Sequence, residues 1–344
     1  MENYMSKAQR EKWIDLVKCI AIFVVMLNHS QLAAPQVRFW GGMFFVPVFF
    51  VLSGYTHSSR EESYLSFLKR KAKRLLLPYI VANGILFVFF FVKNVLLSGG
   101  AVSDMVLNAA GVFYARNQLF VTGAQTLFYP GFDGNVYLYG MLNSPTWFLP
   151  ALFLTMAVFE ALLRLTKRDG RRMLLIAVIL LCLANLYHYL FPLLLPWSAD
   201  SNPYFLIMFM WGYFMRKKEF MKYFERHKWV LLILFGVFVI FAVANGSANY
   251  SVGDYGKSTM MALYNALVSS TVLMYLVRKA EKAIPKILTV IGQQTLFILC
   301  YHLFVFSVIE TVFAGIHPLL TILVTLILLT AVSWGKEKVI HAKK

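Results

Sequence analysis

Apolar residues gather along this chain in long blocks separated by short polar stretches. A block of about 20 apolar residues is what a membrane-spanning helix needs. Backbone groups in lipid must be paired within the segment, so each block predicts a helix. The approximate spans are 14–32, 40–56, 76–97, 146–164, 173–196, 203–215, 229–246, 258–277, 293–312 and 317–334. The sixth is short for a crossing. The fold class expected is therefore all-α, a polytopic membrane bundle of about ten helices. The expected organisation is a cytoplasmic segment 1–13, a transmembrane domain 14–334 and a basic cytoplasmic tail 335–344.

The loops test this register. With the N-terminus inside, the cytoplasmic segments hold 28 lysines and arginines and the outer loops hold only Arg38, Arg116 and Lys257. That asymmetry follows the positive-inside rule. One missed span in the middle would reverse every later loop and erase it. The longest outer connection, about 98–145, carries turn signals at Tyr129-Pro130-Gly131 and Asp133-Gly134. It reads equally as a functional loop or as interfacial filling.

Composition narrows the function classes. The chain has 344 residues, 59% hydrophobic and 14% charged, against about 25% charged in a soluble domain. No ordinary soluble domain fits beside the spans. The net charge of +17 sits in topology clusters, not in an aromatic-laced stripe for nucleic acid. Cys19, Cys182 and Cys300 all lie in apolar runs, which is no disulfide framework and no zinc pattern. The first apolar run carries Lys18 and lacks a small-residue cleavage site, so it reads as a retained helix.

Ionisable groups inside a membrane are costly and mark function by default. The first span has Asp15, Lys18 and His29. At 100° per residue all three share one face, which must point into the bundle. His29 stands about 16 Å beyond Lys18 along the axis. Asp15 and Lys18 read equally as an ion pair at the helix entrance. Histidine suits proton transfer near neutral pH, as a base for a hydroxyl or as a transient acyl carrier. Ser53-Gly54 at the end of the second span reads as a packing contact or as a ligand's approach to the backbone. Arg70, Lys71, Lys73 and Arg74 precede the third span. They read as a topology anchor or as a phosphate site for a donor such as coenzyme A. His302 is a further candidate, against a structural hydrogen bond. Glu160 and Glu310 read as helix-end or internally paired groups, and Gln293 and Gln294 as cross-links. Trp40, Trp147, Trp197 and Trp229 fall near span ends, as interfacial belt residues do.

The run from Trp13 to His29 resembles the opening helix of the membrane acyltransferase-3 family. The resemblance continues through Phe49-Phe50-Val51-Leu52-Ser53-Gly54-Tyr55, the basic stretch into Leu77-Pro78-Tyr79, and Pro145-Thr146-Trp147-Phe148-Leu149. It ends with Ile291 to His302. These landmarks keep the family order over roughly 13–310, and the flavour is that of the membrane-only branch with fucose O-acetylase-like proteins. The resemblance implies an O-acyltransferase, O-acetyl first, moving an acyl group from cytoplasmic acyl-CoA to a hydroxyl of a cell-surface or lipid-linked carbohydrate. His29 would be the catalytic histidine, with Lys18 in place of the family's arginine and Asp15 beside it. Arg70, Lys71 and Arg74 would bind the donor. Ser53, Gly54, Trp147 and His302 are candidates for contact with the acceptor or with the catalytic groups. Acyl-CoA is then a substrate; no tightly bound cofactor or metal is implied. Many relatives carry a glutamate where this chain has Leu152. A transporter or flippase of a glycan precursor, or an O-succinyltransferase, remains the alternative.

Overall fold

Helices follow the apolar blocks, and their ends follow local chemistry. The computed structural model describes residues 11–342 except 59, 122, 139–142, 284 and 314, with their side chains apart from those of 104 and 336–342. Residues 1–10 of the expected N-terminal segment and Lys343 and Lys344 of the tail lie outside the described residues. The helices are α1 Lys12–Asn28, α2 Pro35–Gly42, α3 Pro47–Tyr55, α4 Tyr64–Phe90, α5 Val102–Tyr114, α6 Phe148–Leu165 and α7 Gly170–Leu190. They continue with α8 Asn202–Lys217, α9 Phe220–Arg226, α10 Lys228–Asn245, α11 Thr259–Lys279, α12 Lys286–Gln293, α13 Thr295–Val312 and α14 Pro318–Ala342. No strand forms among the described residues, only isolated bridges such as Gln118–Tyr137 and Phe120–Leu193.

Eight segments are long and apolar enough to cross a membrane: Pro35–Tyr55, Tyr64–Leu97, Ser144–Leu165, Gly170–Leu190, Lys228–Asn245, Thr259–Lys279, Thr295–Val312 and Pro318–Gly335. The helices at the other two expected spans are shorter, α1 with 17 residues and α8 with 16. A 17-residue helix is about 26 Å long, a little under the bilayer core of about 30 Å. Both are central rather than peripheral. Val17, Ala21 and Ile22 of α1 and Leu206, Met208 and Phe209 of α8 are fully buried.

Three expected boundaries change. The first span stops at Asn28, and His29 leaves helical geometry at φ −100° and ψ 4°. The second is two helices meeting at a turn, because Pro47 has no N–H for a continuous helix and Gly41-Gly42 precede it. The third begins twelve residues earlier than 76, at Tyr64, where the Ser63 hydroxyl accepts the Ser66 N–H at 3.2 Å. The basic run is therefore inside α4, not ahead of it. Lys71 and Arg74 then lie about 60° apart around the helix, and Arg70 about 100° from Lys71 and about 40° from Arg74.

Lipid offers no hydrophobic drive between helices, so close van der Waals packing must hold them together. The α3–α8 contact does this through paired glycines. A Cβ on Gly54 would lie 1.9 Å from the Phe209 carbonyl oxygen, and one on Gly212 would lie 1.8 Å from that of Val51. Gly292 of α12 meets the Asp15 carbonyl of α1 in the same way, at 1.8 Å. Gly54→Ala is expected to destabilise the folded protein by about 1–3 kcal/mol, read as a lowered unfolding temperature in detergent. Gly84→Ala, whose Cβ has nothing within 4 Å, is the control that should not move.

Candidate active site

Two cavities enter the bundle from opposite ends. The first opens where the lysines and arginines cluster and has a volume of about 220 Å³. Its polar wall holds Lys18, Ser53, Thr56, Lys71, Arg74 and Gln293. Its deeper wall is apolar, with Phe148, Leu149, Leu152, Leu296 and Leu299. A cationic mouth over an apolar shaft suits a molecule with an anionic head and a less polar tail. Lys18 is only partly exposed and sits 3.5 Å from Asp15, which is 1% exposed. Gln293 reaches the same carboxylate at 3.4 Å. Asp15 thus ties α1 to α12 and sets Lys18 against the cavity. Arg70 turns away, to an ion pair with Glu62. That carboxylate is held below its usual range by its hydrogen bond from Arg70. Gly54 faces α8, so of the Ser53-Gly54 pair only Ser53 lines the cavity.

The second cavity, about 410 Å³, lies at the other end. His29, Trp147, Tyr250, Asn117, Ser144 and Asn249 line it, with Arg38 and Asp254. Amides, hydroxyls and aromatic faces are the groups that hydrogen-bond and stack on sugar rings. Trp147 is 4% exposed, so it is a wall of this cavity and not a belt residue. Trp40 and Trp229, at 43% and 62% exposed, fit the belt. Burial pushes the Tyr250 phenol up, so it stays protonated. It donates to the Ala262 carbonyl at 3.3 Å.

His29, on the wall of the second cavity, packs against His302. Their ring centroids are 5.7 Å apart. His302 is fully buried, and its Nδ1 lies 3.0 Å and 3.1 Å from the carbonyls of Ile298 and Leu299. Carbonyls only accept, so Nδ1 carries the proton. Nε2 is then the atom left to accept, and it is buried with no hydrogen-bond partner. His302 is one helical turn past Leu299 of the first cavity, and Phe148 of that cavity follows Trp147 of the second.

Residues 11–337 match the model of the acyltransferase-3 family, described as an acyltransferase domain. The chain belongs to the acyltransferase-3 family. No curated protein and no solved structure matches it. The chain is thus an enzyme that transfers acyl groups, and its apolar helices make it a membrane acyltransferase.

Two networks of this acyltransferase escaped the sequence. His57 lies 3.3 Å from Glu160, which also accepts from Arg164 at 2.8 Å. This joins the end of α3 to α6 beside the first cavity. At the other end Arg116 is fully buried, not an exposed topology charge. It pairs with Asp200 and donates to the Leu195 and Ser251 carbonyls and the Ser201 hydroxyl, each at 3.2 Å. Three separate outer segments meet on that one side chain. An Arg in a polar loop gives no signal of this, because its partners are 79 to 135 residues away. Leu152 lines the first cavity, and Glu160 is occupied by Arg164 and His57.

Proposed function

We propose that this membrane acyltransferase passes an acetyl group from cytoplasmic acetyl-CoA to a carbohydrate hydroxyl on the far side of the cell membrane. The observation that carries the reading is two cavities, one with a cationic mouth and one lined by groups that suit a sugar, divided by the adjacent Phe148 and Trp147, with His29 of the second cavity against His302. In this reading ten helices cross, with α1 and α8 as the short central pair, and both termini are cytoplasmic. The 28-to-3 split of basic residues supports that orientation.

Lys71 and Arg74 bind the donor phosphates, and the pantetheine arm lies along Phe148, Leu149 and Leu299. Lysine serves here as a point charge, while Arg74 supplies the planar fork. Lys18, steered by Asp15, adds a third cation deeper in. The acceptor sugar stacks on Trp147. In the reacting complex the unpartnered His302 Nε2 would take up the His29 N–H, which leaves the other His29 nitrogen with its lone pair toward the hydroxyl. His29 takes the hydroxyl proton as the oxygen attacks the thioester carbonyl. The C–S bond breaks, and the thiolate leaves and takes the proton back.

The test is base-labile acetate on envelope glycans, with donor kinetics on the purified full-length protein. Acetate is expected to vanish when the gene is deleted and to return with wild type. Lys71→Gln/Arg74→Gln is expected to raise the donor KM about tenfold to a hundredfold, the worth of one charge-assisted hydrogen bond. Unchanged acetate in the deletion strain sinks acetyl transfer to glycans. An unchanged KM sinks the donor assignment.

A further inference from the structure

A third cavity, about 380 Å³, opens at the basic end beside the first. Arg60, Glu61, Glu62, Glu160, Arg164, Lys167 and Arg168 line it, with Leu163. Two of its three acids are engaged: Glu62 holds Arg70, and Glu160 holds Arg164 and His57. Among the described residues, Arg60, Lys167 and Arg168 form no ion pair with a carboxylate, and set against Glu61 they still leave the cleft an excess of positive charge.

The backbone adds a second, independent mark. Lys167 and Arg168 both adopt left-handed conformations, at φ 51° and 64°. Neither is a residue that enters this region freely, because its Cβ crowds the following carbonyl there. The turn is fixed all the same. Arg168 N–H reaches the Leu163 carbonyl at 2.9 Å, and the Thr166 hydroxyl reaches that of Leu162 at 2.7 Å. Asp169 then caps α7. Glycine would make the same turn without strain, yet two cations occupy it and face the cleft. Strain that a fold maintains tends to sit at ligand clamps.

The cleft also adjoins the first cavity. Met156 of that cavity and Glu160 of this one are one turn apart on α6, and the His57–Glu160 pair forms the partition. A coenzyme A donor carries its phosphates in two places, a diphosphate on the pantetheine arm and a monoester on the ribose. Lys71 and Arg74 are one cationic group, and Arg60, Lys167 and Arg168 are another a short step away.

We propose that the Arg60–Lys167–Arg168 cleft holds the ribose 3′-phosphate of the coenzyme A donor whose diphosphate meets Lys71 and Arg74. This rests on the donor reading above. The test is equilibrium binding of coenzyme A and of dephospho-coenzyme A to the full-length protein in neutral-lipid nanodiscs. Wild type is expected to prefer coenzyme A about tenfold or more, as a charged hydrogen bond gives. Arg60→Gln/Lys167→Gln/Arg168→Gln is expected to bind both ligands equally, at the wild-type affinity for dephospho-coenzyme A. Lys167→Gly/Arg168→Gly is expected to lose the same preference while unfolding no earlier than wild type, which separates ligand loss from misfolding. If either variant keeps the wild-type preference, the cleft assignment falls and the donor reading stands. If wild type binds neither ligand, the donor reading falls and takes the cleft with it. If anionic lipid in the nanodiscs abolishes the wild-type preference, the cleft holds a lipid headgroup phosphate and the proposal is overturned.

Discussion

Replacing His29 with alanine is expected to lower acyl transfer about a hundred- to ten-thousandfold, the span of general acid–base contributions, while coenzyme A binding stays at the wild-type level. His29 lies just past the end of α1 and is half-buried, so its loss removes a ring contact with His302 and no helical hydrogen bond. The donor cavity draws on Lys18, about 16 Å back along the same helix, and should not sense the change. Labelled acyl transfer and coenzyme A binding, measured on the same purified sample, check both halves. Transfer at the wild-type rate would make His29 structural and move attention to Asp254, the other ionisable acceptor of that cavity. His302→Asn provides a companion. Its short amide can still donate to the carbonyls of Ile298 and Leu299 but offers nothing where Nε2 stood. Turnover is expected to fall with little change in either KM.

Arg116→Met is expected to destabilise the protein by about 3–5 kcal/mol, the cost of leaving one member of a buried ion pair alone. The methionine fills similar space, but Asp200 remains at 0% side-chain exposure without its guanidinium. Segments around Leu195, Ser201 and Ser251 lose their common anchor. Asn117, the residue after Arg116, and Ser251, whose carbonyl Arg116 holds, both line the acceptor-side cavity. The acceptor KM is therefore expected to rise and the donor KM to hold. Thermal unfolding in detergent reads the first effect and steady-state kinetics the second. Arg116→Met/Asp200→Leu should recover part of the lost stability, since it removes both charges. An unchanged unfolding temperature in the single variant would show that the clamp is not what holds the outer segments.

The helical bundle was legible because lipid leaves the backbone few options. Long apolar blocks and one-sided basic loops register directly in composition. Helix interruptions were less legible. The turn before Pro47 and the early start at Ser63 depend on single residues inside or beside an apolar block. In the site, helical periodicity placed Asp15, Lys18 and His29 on one face, and the cavities receive Lys18 and His29 from it. Periodicity could not say that this face serves two separate cavities. Nor could it separate Arg70 from Lys71 and Arg74, because what turns Arg70 away is its ion pair with Glu62 and not its place on the helix. The Arg116–Asp200 and His57–Glu160 pairs join residues 84 and 103 positions apart in the chain. Nothing local marks such partners.

The two cavities share a wall of very little thickness. Trp147 belongs to one side and Phe148 to the other, so consecutive residues at the head of α6 divide them. An enzyme built this way must also act as an electrical and chemical seal. If the acyl group passes here as proposed, protons, ions and water have to be refused passage at the same place. Bulky aromatic side chains and the pair of His29 with the buried His302 meet that demand together, because they fill the section that a polar conduit would leave wet. In that reading the thinness of the partition sets how short the transfer step can be, and its density would keep the membrane potential from leaking through the site.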